Sequence, residues 1–341
     1  MKISQIGEFG LIKRITGEAV FDPCDLIKGI GDDAAVIHTG QGKVLLVTSD
    51  MLVEGVHFLR EKITPFQLGY KAVAVSFSDI AAMGGRPRHV LVSLAVPPGA
   101  GVEEMEEMYS GMKSILSRWS ANLVGGDTVS SPVLAIDVTV LGEAREDSVL
   151  TRSGAAPGDV VMVTGSLGDS AAGLEIILNP DIAGSLPDAD REALLAAHLR
   201  PEPRIGEASL LVSTGCVTSM MDLSDGLAGD IRHICDSSGT GAEIYTKSIP
   251  YSGPAARLAE TAGKSVYDWA LYGGEDYELL FTVRPDKTEV VTGAFAAAGL
   301  GRVTAVGKIT AHEKGIELVD SEGRRQPLNM GFDHFKANTE F

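Results

Sequence analysis

The chain has 341 residues, 44% of them hydrophobic and 22% charged, an ordinary balance for a folded globular protein that excludes wholesale disorder and at this length suggests two domains. A formal net charge of −17 argues against a protein that follows a nucleic-acid backbone by electrostatics, but not against a nucleotide delivered with its own metal ions. No stretch approaches the roughly 18 consecutive apolar residues of a membrane span, so a cytoplasmic protein without membrane partners is expected. Cys24, Cys216 and Cys235 form no C-x-x-C pair and read as core thiols, and the histidines lack H-x-x-x-H spacing.

In chain order, KGIGDDAAVIH (28 to 38) comes first, setting Asp32 and Asp33 in a glycine turn. Gly29, Gly31 and Ala34 formally satisfy the dinucleotide fingerprint G-x-G-x-x-A. That fingerprint requires a helix directly after the glycines, to meet the pyrophosphate with its first N–H groups, whereas AAVIH reads as a strand. The lysine-bearing phosphate loop G-x-x-x-x-G-K-[ST] is absent. KVLLVTSD (43 to 50), HVLVSLAVP (89 to 97) and VLAIDVTVLGEA (133 to 144) read as strands from their β-branched runs. TPFQLGYKAVAVSFSDIAAMGG begins with a Thr-Pro start and carries Phe66, Tyr70, Val73, Phe77 and Ile80 at helical spacing, and a second helix is predicted over 102 to 119. The polar stretch REDSVLTRSGAAPGD marks a boundary between domains at 1–150 and 151–341. Strand and helix alternate again in VVMVTG, DSAAGLEIIL, CVTSMMD, GLAGDIRHIC and YELLFTV, and KGIELVDSEGRRQPL reads as a hairpin. The fold class is α/β with mixed sheets.

Acidic residues recur at the ends of apolar elements: Asp32-Asp33, Asp50 after LLVTS, Asp127 after LVGG, Asp222 and Asp225 in MDLSDG. Strand ends are where α/β proteins build sites. Each acid also has a structural reading as a turn or helix cap, and Asp225 suits a helix start through the dipole. Asp79 stands inside a predicted helix, on the face shared with Ala72, Val75, Ser76, Ala82 and Met83, either turned to solvent or buried against a cation. If these acids converge, their repulsion calls for hard divalent cations, and Mg²⁺ bridges carboxylates to substrate phosphates. Thr48 and Ser49 can add oxygen ligands. An acidic glycine turn then binds phosphate through metal, and phosphoryl transfer asks for little beyond positioning and charge neutralisation.

The motifs GIGDDAAV, TSDMLVEGVHF, GYKAVAVSFSDIAAMG, LVGGDT, LTRSGAAPGD, GSLGDSAAGL, HLRPEPR, MDLSDGL and WALYGGEDYEL, in that order over nearly the whole chain, closely resemble the bacterial thiamine-monophosphate kinase family, in the wider aminoimidazole ribonucleotide synthetase-like superfamily. The resemblance implies a two-domain fold in which the amino-terminal domain pairs across a homodimer and ATP sits at that interface. It implies direct in-line transfer of the ATP γ-phosphoryl group to thiamine monophosphate, with several Mg²⁺ ions. By the same resemblance Asp33, Thr48, Ser49, Asp50, Asp79, Asp127, Asp222 and Asp225 are metal ligands, with Asp50, Asp79, Asp127 and Asp222 carrying catalysis. Tyr109, Gly126, Asp127, Arg152 and Ser224 correspond to nucleotide contacts, and His57, Glu275 and Phe332 to the acceptor's. A carboxylate and an aromatic face suit a cationic thiazolium. Read without the resemblance, His57 is equally a satisfied structural histidine, Arg152 a surface arginine, and TGSLGDSAAG (164 to 173) either a phosphate contact or tight packing.

Sister chemistries fit less well. A selenophosphate synthetase calls for a reactive Cys near the amino terminus, but Cys24 lies in an unrelated FDPCDL context. A carbamoyl-dehydrating maturation factor ends in an acceptor cysteine, while this sequence ends in ANTEF. A non-catalytic Mg-nucleotide sensor is the alternative of a different class.

Overall fold

A computed structural model of the chain describes residues 3–16, 19–184 and 186–328. The first half holds α1 (Ile3–Ile15), β1 (Leu26–Lys28), β2 (Ala35–Gly40), β3 (Lys43–Val53), α2 (Pro65–Ala82), β4 (Arg86–Val96), α3 (Val102–Trp119), β5 (Asn122–Ser130) and β6 (Ala135–Arg145). Its strands form one sheet in the order β1-β2-β3-β6-β4-β5, antiparallel except for the parallel β4–β5 pair. The second half holds β7 (Val160–Thr164), α4 (Asp169–Leu178), α5 (Asp188–Leu199), α6 (Ile205–Thr214), β8 (Val217–Asp222), α7 (Leu227–Ser238), β9 (Thr240–Tyr245), α8 (Gly253–Ala262), α9 (Val266–Tyr272), β10 (Leu279–Val283), α10 (Thr288–Ala298), β11 (Val303–Ala311), β12 (Ile316–Val319) and β13 (Arg325–Pro327). Its sheet runs β13-β12-β9-β11-β7-β10-β8. The expected hairpin is β12–β13. The fold is mixed α/β, and no helix among the described residues is long and apolar enough to cross a membrane.

Helix α2 organises both halves. Thr64 and Gln67 close a capping box at its start with Pro65 in the first turn, so the orphan N–H groups are satisfied before the apolar run begins. The expectation was an apolar stripe; instead every residue from Leu68 to Ser78 is buried. The reason is that α2 packs against β3 and β6 on one side and against β8 and α6 on the other, and a helix covered all round is apolar or small all round. Phe77, Ile80, Met220, Phe281 and Phe295 accordingly share one core. A second core, with Leu227, Ile231, Ile234 and Leu280, lies where α7 covers the other face of the second sheet.

Helix α3 crosses α2 at a contact too tight for side chains. A Cβ at Gly69 would lie 1.8 Å from the Met108 carbonyl oxygen, and one at Gly111 would lie 1.9 Å from that of Phe66. Strand β5 was not anticipated as a strand, because its two glycines weaken that propensity; pairing with β4 overrides it. Asp50 and Asp127, expected at strand ends, sit within β3 and β5.

Candidate active site

Four elements bring acids onto the polar end of α2. Asp33 precedes β2, Asp50 projects from β3, Asp79 from the last turns of α2, and Asp222 ends β8. Carboxylate oxygens of Asp33, Asp79 and Asp222 lie within 4.8 Å of one another. Thr48 Oγ1 donates to Asp79 Oδ2, and Ser78 Oγ donates to Asp222 Oδ2 at 2.6 Å. Asp79 is half-buried and turned into the cluster, not out to solvent, and the small neighbours on α2 leave room for the approach. Arg152 donates from Nε and Nη2 to Asp33 Oδ1 at 3.1 and 2.5 Å, and its backbone N–H donates to Asp32 Oδ1. Arg152 is therefore a partner of the cluster, not a surface arginine.

Two donors and one guanidinium do not satisfy this much charge. Oδ2 of Asp33 and Oδ2 of Asp50 are buried without a hydrogen-bond partner. Burial raises the Asp33 carboxyl to about 7 against the pull of Arg152, and raises that of Asp222 to about 6 against the Ser78 hydrogen bond. Asp79 is pushed well above the usual carboxylate range by burial and then by Asp50, Asp222 and Asp33, and burial raises Asp50 as well. An all-oxygen donor set with orphaned buried oxygens and mutual repulsion fits hard cations such as Mg²⁺.

Beside this group a cleft of about 740 Å³ is lined by Asp50, His57, Lys71, Arg152, Ser224 and Glu275 among others. The GGEDYE segment is held against the turn after β8: the N–H groups of Glu275 and Tyr277 donate to the carbonyls of Ser224 and Leu223, both at 2.8 Å. Glu275 and Tyr277 both adopt left-handed backbone, with φ of 66° and 50°, unusual for residues with side chains and a mark of a position fixed by its surroundings. Lys71, 1% exposed at its side chain, reaches Glu275 at 3.0 Å, and His198 Nδ1 lies 3.2 Å from the same carboxylate. Burial alone would raise Glu275, but Lys71, His198 and His57 outweigh it and keep the carboxyl below its ordinary value. His57 Nδ1 accepts from the Val53 N–H at 3.0 Å, which leaves Nε2 to carry the proton of the neutral ring. His57 thus has both a structural bond and a place in the cleft.

The start of α4 is closed to phosphate by the protein's own carboxylate. Asp276 accepts from the N–H groups of Gly168 and Ser170 at 2.7 and 3.3 Å, and a Cβ at Gly168 would sit 2.8 Å from the Ala270 nitrogen. For 164 to 173 the packing reading holds.

Of the remaining residues singled out in the sequence, Ser224 and Asp225 line the cleft, and the others described lie elsewhere. Ser49 faces away from α2, with Oγ 3.2 Å from both oxygens of Asp137 and 3.0 Å from Thr139 Oγ1. Gly126 and Asp127 lie on β5 opposite Val92 and Ser93, exposed and separated from β3 by two strands. Gly126 has φ 154°, and a Cβ there would meet the Val92 carbonyl oxygen at 1.8 Å. Tyr109 packs from α3 against the main core. Ser224 and Asp225 occupy the turn from β8 to α7, and Phe332 lies outside the described residues. Lys71, His198, Asp137 and Asp230 were missed. Lys71 carried a signal, as the one cation of a helix otherwise rich in apolar and small residues.

Two family models match the chain: "AIR synthase related protein, N-terminal domain" over residues 31–144 and "AIR synthase related protein, C-terminal domain" over 156–320. Thiamine-monophosphate kinase of Bacillus subtilis is 37% identical over 96% of this chain and 99% of its own length. The Escherichia coli K12 protein of that name is 39% identical over 96% and 98%. A solved structure described as AaThiL complexed with AMPPCP and TMP superposes with a TM-score of 0.84 at 34% identity, covering 98% of this chain and 99% of that one. With relatives this similar over almost their full length, the chain belongs to the thiamine-monophosphate kinases of the AIR synthase related family.

Proposed function

We propose that this chain transfers the γ-phosphoryl group of ATP to the phosphate of thiamine monophosphate, giving thiamine diphosphate and ADP. The observation that carries the reading is the convergence of Asp33, Asp50, Asp79 and Asp222 beside a cleft that also holds Glu275. The ATP analogue and TMP named for the similar AaThiL structure support the same pair of substrates. Asp33, Asp50, Asp79 and Asp222 would hold Mg²⁺, which would supply neutralisation of the charge that phosphoryl transfer accumulates.

The protein's own groups then position and neutralise. Glu275, kept ionised by Lys71, faces the thiazolium cation, while Arg152 and Ser224 lie on the nucleotide side of the cleft. An acceptor phosphate oxygen attacks the γ-phosphorus as the bond to ADP breaks. The acceptor is largely deprotonated at neutral pH, so no side chain is required as general base. Residues 1–150 supply the acids of β3 and α2, and residues 151–341 supply Arg152, Asp222 and Glu275.

The same reading includes a cytoplasmic homodimer. β5 is a sheet edge exposed along its whole length, with Leu123, Val124 and Val129 on view, the kind of edge that native proteins cover. A second copy over it would bring Gly126, Asp127 and Tyr109 to a shared nucleotide site. Sedimentation of the Val124→Glu variant is expected to show monomer where the parent chain is a dimer.

The direct test measures ADP and thiamine diphosphate with ATP and Mg²⁺, offering thiamine monophosphate, thiamine or no acceptor. Matched formation of both products only with the monophosphate, lost in Asp50→Asn, is expected. Absence of acceptor-dependent ADP from folded protein overturns the assignment.

A further inference from the structure

Two motifs singled out in the sequence, GSLGDSAAGL and HLRPEPR, are still without a role. The fold brings them together behind Glu275. Helices α4 and α5 cross at Gly173, where a Cβ would lie 2.1 Å from the Leu194 carbonyl oxygen and 3.1 Å from the His198 Cβ, so any larger residue would push the end of α5 away. The crossing seats the buried His198 against two partners on one nitrogen. Nδ1 lies 3.0 Å from Ser170 Oγ, in the first turn of α4, and 3.2 Å from a Glu275 carboxylate oxygen. Ser170 is itself fixed, buried with its N–H donated to Asp276.

A carboxylate only accepts, so Nδ1 has to carry the ring's proton, and the N–H is forked between Glu275 and the Ser170 hydroxyl oxygen. Burial and then Lys71 lower His198 to about 4 against the pull of Glu275, which leaves the ring neutral at pH 7. The two histidines beside Glu275 thus hold their protons on opposite nitrogens, His198 on Nδ1 and His57 on Nε2. Lys71 gives Glu275 its countercharge, but an ammonium is a point charge on a flexible stem and sets little direction. A packed imidazole sets direction without adding a second positive charge to repel a cationic acceptor. We propose that His198 is a positioning residue of the acceptor site, whose Nδ1–H fixes the orientation of the Glu275 carboxylate that meets the thiazolium. The inference rests on the kinase reading and deepens it: preference for a cationic acceptor depends on a residue that acts through Glu275.

The test has two parts that fail separately. Nitrogen-15 NMR of the full-length protein with labelled histidines, without ligands at pH 7, is expected to show an imidazole protonated at Nδ1 whose signal disappears in His198→Asn. A His198 ring with its proton on Nε2 overturns the proposal, whatever the protein does with ATP. In steady-state kinetics, His198→Leu should raise the KM for thiamine monophosphate by about tenfold or more, as loss of a hydrogen bond to a charged group does, with kcat and the KM for ATP within about twofold. His198→Asn, whose side-chain amide N–H stands near the place of Nδ1–H, should recover most of that loss. An unchanged KM in His198→Leu overturns the proposal, and so does an equal loss in the Leu and Asn variants, which would mark a merely structural residue. No acceptor turnover in the parent protein, with the Nδ1 proton found in His198, overturns the kinase reading on which the role depends, an outcome that the NMR result keeps distinct from the others.

Discussion

Asp79 and Lys71 face opposite electrostatic problems on the same helix. Asp79 is surrounded by like charge, so Asp79→Asn should raise the melting temperature of metal-free protein while lowering thiamine-monophosphate-dependent turnover by about a hundredfold or more, as loss of a charge-stabilising group does. A variant that melts lower without metal would refute the repulsive cluster. Lys71 is surrounded by apolar packing and answered by Glu275, so Lys71→Met leaves that carboxylate with only the two imidazoles of His198 and His57. Breaking a buried pair costs about 3–5 kcal/mol, and because Glu275 keeps 26% of its side chain exposed the lower end is expected in urea unfolding. Adding Glu275→Gln should recover most of the loss, and additive losses in the double variant would mean the two do not act as a pair. The acids announced themselves by type and position in the sequence. Lys71 could not be paired in advance, because its partner lies 204 residues away.

Elements here are set by contacts more than by propensity. The α2–α3 crossing rests on Gly69 and Gly111, and Gly111→Ala should destabilise the chain by about 3 kcal/mol, because backbone at 1.9 Å must move apart to admit a methyl group. Near-wild-type denaturation of that variant would show that the crossing is adaptable. Helix α3 was legible to the residue over 102–119, since it has a polar face and an apolar one. Helix α2 was legible in extent but not in burial, because the second layer on it comes from β8 and α6, far along the chain. β5 was illegible as a strand for a related reason: its pairing with β4, not its composition, makes it one.

At the scale of the whole molecule, the acidic cluster ties stability to pH and metal. Asp33 and Asp222 titrate at about 7 and 6 when folded, against about 4 for an exposed carboxylate. The folded chain therefore holds protons that the unfolded chain releases. The associated stability is complete below about pH 4 and lost as the pH rises through 6 and 7. The melting temperature of metal-free protein is expected to fall from pH 5 to 8 and Mg²⁺ to restore it most at the alkaline end; a flat profile, or restoration greatest at pH 5, would contradict this. What the sequence by itself determined was the class of fold, the family, the acidic motifs and the chemistry they suit, all properties of residue type and local order. Which acids meet, that Ser49 turns away while Thr48 turns in, that Lys71 answers Glu275, and that Asp276 closes the start of α4 were decided by tertiary structure alone. Strand parity, helix crossing and long-range pairing choose the neighbours of a charged group, and its neighbours, together with its burial, decide what the charge can do.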